Sequence, residues 1–274
     1  MPAPQTAQFR IDARKLFWRL AAVCVAVEIG LVVLDYHVNF AGVHVAGALR
    51  RLANMAREDS LANLAAVIQV ALLALTLWAV YLTARGSAGS AWRRRGWLVV
   101  ALFFSYITID DGSRLHERVG TAVGLVMDGW TRTSGEKLVD LFPSYTWQLV
   151  YLPSFALLGL FTLCFLWNVL EPNYSRLMIL IGMGCFVVAV GMDFLEGLQE
   201  ESRFNPYSWI ARSVDISGFT ERRFHASPHD ALLHFSKVVE EAIEMFGTTL
   251  IWIAVLRHWT WVTGELRLSF TTGD

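Results

Sequence analysis

Apolar runs of membrane-spanning length alternate along this chain with shorter polar connections. A transmembrane helix needs about 20 mostly apolar residues, and about six stretches qualify: Leu16–Leu34, Leu61–Ala84, Trp97–Leu115, Trp147–Leu170, Leu177–Leu198 and Val238–Leu256. The pattern predicts an all-α polytopic membrane bundle with about six spans. Val43–Arg57 differs from the runs: Val45, Leu49, Leu52 and Met55 recur at helical spacing with arginines between them, as in an amphipathic helix lying along the interface. Residues 16–256 then form a single transmembrane bundle, with tails at 1–15 and 257–274. The run from Leu20 to Leu34 is long for a signal peptide and lacks a small-x-small site directly after it, so it reads as an uncleaved first span.

Composition agrees with a bilayer environment. Hydrophobic residues make up 55% of the chain, charged residues 17%, and mean hydropathy is +0.44; a soluble domain usually carries about 25% charged residues. The net charge of −1 leaves no basic field for nucleic acid. Cys24, Cys164 and Cys185 all sit in apolar runs, which predicts small buried hydrophobes rather than a disulfide framework or a metal pair. The basic clusters Arg10/Arg14/Lys15/Arg19 and Arg85/Arg93/Arg94/Arg95 fall on one side of the bundle, which places that side and both termini in the cytoplasm. Trp18, Trp92, Trp97, Trp130, Trp147, Trp209, Trp259 and Trp261 fall near span ends, as in an aromatic belt, whereas Trp78 and Trp252 lie deeper and are expected to pack. Gly182, Gly184 and Gly191 would let the fifth span approach a neighbour closely.

Ionisable residues gather toward the other side. A rise of ~1.5 Å per residue puts Asp110 ~20 Å up the third span, Asp193 ~24 Å and Glu196 ~28 Å up the fifth, and Glu244 ~20 Å and Glu241 ~24 Å up the sixth. Three helices thus bring carboxylates to similar depth. Helical phase aligns Asp110 with Ser113 and Glu117, with Asp111 and His116 to either side; it aligns Asp193 with Glu196, and His234 with Lys237, Glu241 and Glu244, with Glu240 beside them. Glu28 is the deepest acid of the first span. Carboxylates this close in a low dielectric must be neutralised by cations or hold protons. Histidine among carboxylates is a ligand set for Zn, Mn or Fe, which makes Asp110, His116, Glu117, Asp193, Glu196, Glu240, Glu241 and Glu244 candidate ligands of a divalent metal. The Glu-x-x-His pairs of bundled di-metal sites are absent, as are HExxH, GxSxG, a P-loop and a dinucleotide fingerprint. Plainer roles compete: Asp193 and Glu196 as solvated helix-end residues, His234 at the interface, Lys237 paired with Glu241, and Arg114 and Arg118 neutralising acids without any metal.

Ile109-Asp110-Asp111 with Ser113-Arg114-Leu115-His116-Glu117, then Gly191-Met192-Asp193-Phe194-Leu195-Glu196, then Glu240-Glu241-Ala242-Ile243-Glu244-Met245-Phe246-Gly247 resemble an uncharacterised family of bacterial multi-pass membrane proteins. The resemblance runs from about Asp35 to Leu256. It implies the bacterial cytoplasmic (inner) membrane, carries over Asp110, His116, Glu117, Glu196, Glu240, Glu241 and Glu244, and implies no activity. Where the family has Glu, this chain has Asp111.

Three functions fit these residues. The first is a metal-dependent membrane enzyme acting on a lipid-like substrate near the outer leaflet, with the carboxylates and His116 as ligands or acid/base groups. The second is an ion- or proton-coupled transporter, and the third a structural or accessory membrane subunit. The lipid bilayer is the partner common to all three, and none involves nucleic acid.

Overall fold

The computed structural model describes residues 12–41, 46–86, 90–131, 142–171 and 173–264, with only the backbone of Arg14 and of 128–131. Most of the expected tails, residues 43–45 at the head of the interfacial stretch with Val45 among them, and the Trp130 side chain therefore lie outside the described residues. Every described element is a helix: α1 (Ala13–Asn39), α2 (Gly47–Ala53), α3 (Leu61–Gly86), α4 (Ala91–Ser113), α5 (Leu115–Thr131), α6 (Thr146–Val169), α7 (Asn173–Glu196), α8 (Pro206–Ser213), α9 (Ser217–Phe224) and α10 (Pro228–Thr263). Four of them, α1, α3, α6 and α7, are long and apolar enough to cross a membrane. Their outward faces are large and apolar, with Val23, Ile29, Leu75, Leu157 and Val187 each at least half exposed. Such surface fits a lipid bilayer and no aqueous phase.

Caps and breakers set the boundaries. Asp12 accepts the Lys15 N–H at 3.2 Å to start α1. Asn205 and Ser227 cap α8 and α10, each followed by proline at the first helical position, where its missing N–H costs nothing. Pro153 lies within α6, as spanning helices tolerate.

α10 is the helix the others pack around, in contact with α7, α3, α1, α8 and α9. Its 36 residues extend ~54 Å at ~1.5 Å per residue, well beyond a hydrocarbon core of ~30 Å. It starts ten residues before the apolar run that announced it, because the polar His229–Lys237 segment is helical too. From Met245 to Leu256 it is buried on most sides, within a core that includes Leu73, Leu77, Val100, Phe104, Phe165, Leu166 and Ile179. At the α7–α10 crossing a methyl on Gly182 would sit 2.9 Å from the Gly247 carbonyl oxygen, and one on Gly247 would sit 2.9 Å from Cys185 Cβ. Only glycine permits that approach. Gly184 and Gly191 have open space in place of a side chain, so of the three glycines expected at an interface only Gly182 is in one.

Several smaller expectations are corrected. Trp97, placed in the aromatic belt, is 3% exposed and stacks on His258 with ring centroids 5.3 Å apart. Trp18, Trp92, Trp209 and Trp261 are exposed as a belt requires. Trp252 and Trp78 pack inside, donating to Thr76 and Ser105 at 2.9 Å each. Cys24 is buried, but Cys164 is exposed, because it lies on the outward face of α6. The interfacial helix is shorter than its apolar spacing suggested, Gly47–Ala53. Beyond the third expected span the chain forms a further helix, the 17-residue α5.

Candidate functional site

The site begins at the break between α4 and α5. Arg114 adopts a left-handed conformation (φ 55°), and its N–H closes α4 on the Asp110 carbonyl. The turn folds the start of α5 back over Asp110. The Asp110 carboxylate then accepts the His116 backbone N–H at 2.8 Å through Oδ1 and meets His116 Nδ1 at 2.6 Å through Oδ2. Asp110 is 2% exposed. With both oxygens engaged it holds the imidazole, whose edge packs against Trp147 at 4.6 Å between ring centroids.

The break also overturns the helical phase expected for this stretch. Asp110, Ser113 and Glu117 would share a face only on a continuous helix. Instead the Ser113 hydroxyl bonds back to the Ile109 carbonyl at 2.6 Å. Glu117 meets Arg114 at 3.2 Å, and Arg114 also pairs with Glu58. Asp111 is the acid of this stretch within electrostatic reach of Glu241 and Glu244 on α10.

Lys237 organises the opposite wall. Its ammonium donates to Glu240 at 2.8 Å and lies 3.7 Å from Asp193 and 3.8 Å from Glu241. The spacing of Lys237 and Glu241 suggested the second pair; the nearer Glu240 and the cross-helix contact to Asp193 depend on how α7 lies on α10. Gln148 of α6, 1% exposed, donates to the other Asp193 oxygen at 2.8 Å. Glu196 feels the charges of Lys237 and Asp193. One oxygen each of Glu196 and Glu240 is buried with no hydrogen-bond partner among the described residues. Tyr145, just before α6, has its phenol pushed up to about 12 by burial and by the nearby charges of Glu196 and Asp193.

The structure thus brings Asp193, Glu196, Glu240, Glu241 and Glu244 around a single lysine, with Asp111 within reach of Glu241 and Glu244, the Asp110–His116 pair alongside and Glu117 turned to Arg114. Ion pairs within 4 Å reach Asp193, Glu240 and Glu241; among the described residues Asp111, Glu196 and Glu244 have none. No three His, Cys, Asp or Glu side chains among those described converge on one point as ligands of a shared ion.

Two polar networks join residues far apart in the sequence. Asp35, 1% exposed, holds His234 at 2.9 Å and accepts from Asn39 at 2.8 Å, beneath an aromatic cluster of Phe40, Phe224 and Phe235. Deeper, Glu28 of α1 accepts from Gln69 of α3 at 3.0 Å and from Thr249 of α10 at 2.8 Å. Glu28 stood out as the deepest acid of the first span, but nothing in the local sequence announced its partners or those of Asp35.

No curated protein and no solved structure matches the chain. A family model does, over residues 18–259, a range that holds all the helices just described except the termini of α1 and α10. The chain belongs to the family described as a domain of unknown function, DUF8692.

Proposed function

We propose that this protein crosses the membrane six times, through α1, α3, α4, α6, α7 and α10, and uses the carboxylate cluster to take up and release a cation, the proton first, in ion- or proton-coupled transport. The observation that carries the reading is the charge imbalance around Lys237. One ammonium satisfies Glu240 and leans on Asp193 and Glu241, while Asp111, Glu196 and Glu244 stand without a basic partner among the described residues. Carboxylates crowded in a poorly solvated region cannot all stay ionised. Protons or a bound cation must make up the difference, and intramembrane acids of this kind mark ion and proton paths. The orphaned oxygens of Glu196 and Glu240 are positions a proton or cation would satisfy. His116, held through Nδ1 by Asp110, presents Nε2 as a further proton acceptor or donor beside the cluster. The basic clusters near the ends of the first three spans support an orientation with that end of the bundle and both termini in the cytoplasm and the carboxylates near the outer leaflet.

The test is proton entry into proteoliposomes driven by a potassium diffusion potential and read with an internal pH dye. The wild type should exceed empty vesicles. Glu241→Gln and Glu244→Gln should lose at least about tenfold of the flux, the scale of one such group's effect on a proton-transfer step, while eluting as folded protein; Glu117→Gln should retain it. Wild-type flux equal to that of empty vesicles would defeat the proposal.

A second reading has one observation of its own. A histidine oriented by a carboxylate on its far nitrogen is how metal-ligating imidazoles are usually held, and the Asp110–His116 contact has that form. Zn, Mn or Fe held by His116 Nε2 and neighbouring carboxylates would serve a membrane enzyme with a lipid-like substrate. Elemental analysis of purified protein separates the readings: about one metal per chain, lost in His116→Ala, favours the enzyme.

A further inference from the structure

At the end of the bundle remote from Lys237, a cavity of about 160 Å³ opens between α3, α4, the end of α6 and α10. Its polar lining includes Ser90, Arg93, Arg94, Thr83 and His258, and none of the described carboxylates contributes to it. Among the described residues neither Arg93 nor Arg94 has an acidic partner. Both lie in the first turn of α4, where free N–H groups and the helix dipole disfavour cations and favour an anion. Ser90, at the N-cap, makes no side-chain capping bond, so its hydroxyl is also free.

His258 supplies an independent observation. The Glu171 backbone N–H donates to Nδ1 at 3.2 Å, which fixes the neutral ring with its proton on Nε2. The residue is 7% exposed and lines the cavity, yet Nε2–H has no acceptor among the described residues. That N–H opens onto the cavity, where it can donate to an occupant. Two guanidiniums, a serine hydroxyl, an imidazole N–H and a helix N-terminus therefore line one cavity to which no described carboxylate contributes. The rest of the wall is apolar, Val80, Val169 and Val262, with Trp97 stacked on the imidazole.

We infer that this cavity binds a phosphate-bearing anion, the chemistry of an anionic phospholipid headgroup or of free phosphate. Guanidiniums match phosphate oxygens geometrically, and basic pockets between membrane helices take such headgroups. The inference is independent of the carboxylate cluster.

Native mass spectrometry of the full chain in detergent tests it with three probes: phosphatidylglycerol, phosphatidylcholine and inorganic phosphate. Phosphatidylglycerol should bind at least about tenfold more tightly than phosphatidylcholine, and the double variant Arg93→Gln/Arg94→Gln should lose that preference, as expected when two charge contacts go. Arg85→Gln, outside the lining, should keep it. Binding of phosphatidylglycerol but not inorganic phosphate assigns the site to a lipid; binding of both, each lost in the double variant, assigns it to free phosphate as well. Equal affinity for the two lipids without binding of phosphate, or an unchanged preference in the double variant, would overturn the inference.

Discussion

The two halves of α10 face the same neighbours under opposite rules. From Met245 to Leu256 the helix is dry: Ile251, Ala254 and Val255 are fully buried, and the polar groups there, Thr249 and the Trp252 N–H, are matched to Glu28, Gln69 and Thr76. From Lys237 to Glu244 it is charged, and acids outnumber bases. The dry half matches its carboxylate with neutral donors, Gln69 and Thr249, although the Gln69 side-chain oxygen is itself buried with no partner among the described residues. The charged half leaves carboxyl oxygens orphaned although α7 packs against both halves. What separates the halves is therefore charge: the dry half sets one carboxylate against two donors, the charged half several carboxylates against one ammonium. The imbalance is also costly, since an unpaired buried charge weighs more than a hydrogen bond can return.

Substitutions can break the contrast at several strengths. Lys237→Met removes the ammonium that pairs with the cluster and should destabilise the protein by about 3–5 kcal/mol at neutral pH, measured by reversible unfolding in mixed micelles. The loss should shrink as pH falls, because carboxylates that take up protons no longer repel; a loss independent of pH would speak against shared charge. Ile251→Ala, in the dry half, should cost about 2–5 kcal/mol as a cavity and leave proton flux per folded molecule unchanged. Asp110→Asn should cost about 1–3 kcal/mol by leaving the His116 contacts poorly matched, and should slow flux with no change in helix content by circular dichroism. Glu117→Gln, in a pair with both side chains more than 40% exposed, should cost less than about 1 kcal/mol, a difference near the limit of the same unfolding assay.

How much of this could be read from the sequence differs between the two halves. Counting residues along the third, fifth and sixth apolar runs was enough to place their acids at one level, because helical rise is nearly constant. Helical phase was enough for α10, where Lys237, Glu241 and Glu244 lie on one uninterrupted helix. It failed on the third run because Arg114 takes a left-handed conformation, so the stripe through Ser113 and Glu117 never forms and Asp111 faces α10 instead. No local signal predicts that break: Arg114 is neither glycine nor asparagine, and what favours it is the pair of bonds Asp110 makes to His116. The Asp35–His234 and Glu28–Gln69–Thr249 contacts were invisible for another reason. They join residues far apart in sequence, and which helices meet is set by packing such as the glycine contact of Gly182 and Gly247. α5 was missed because its polar face made it look like a connection. Likewise, the start of α10 was placed late because hydropathy marks the lipid-facing part of a helix, not its end.

The central claim is that the cluster around Lys237 holds exchangeable protons at neutral pH. Infrared spectroscopy of the protein in lipid, comparing neutral with alkaline pH, tests it most directly. Protonated carboxyl groups should appear as a carbonyl band that falls as pH rises and is reduced in Glu241→Gln and Glu244→Gln but unchanged in Glu117→Gln. A spectrum with every carboxylate ionised at neutral pH, identical in all four proteins, would contradict it.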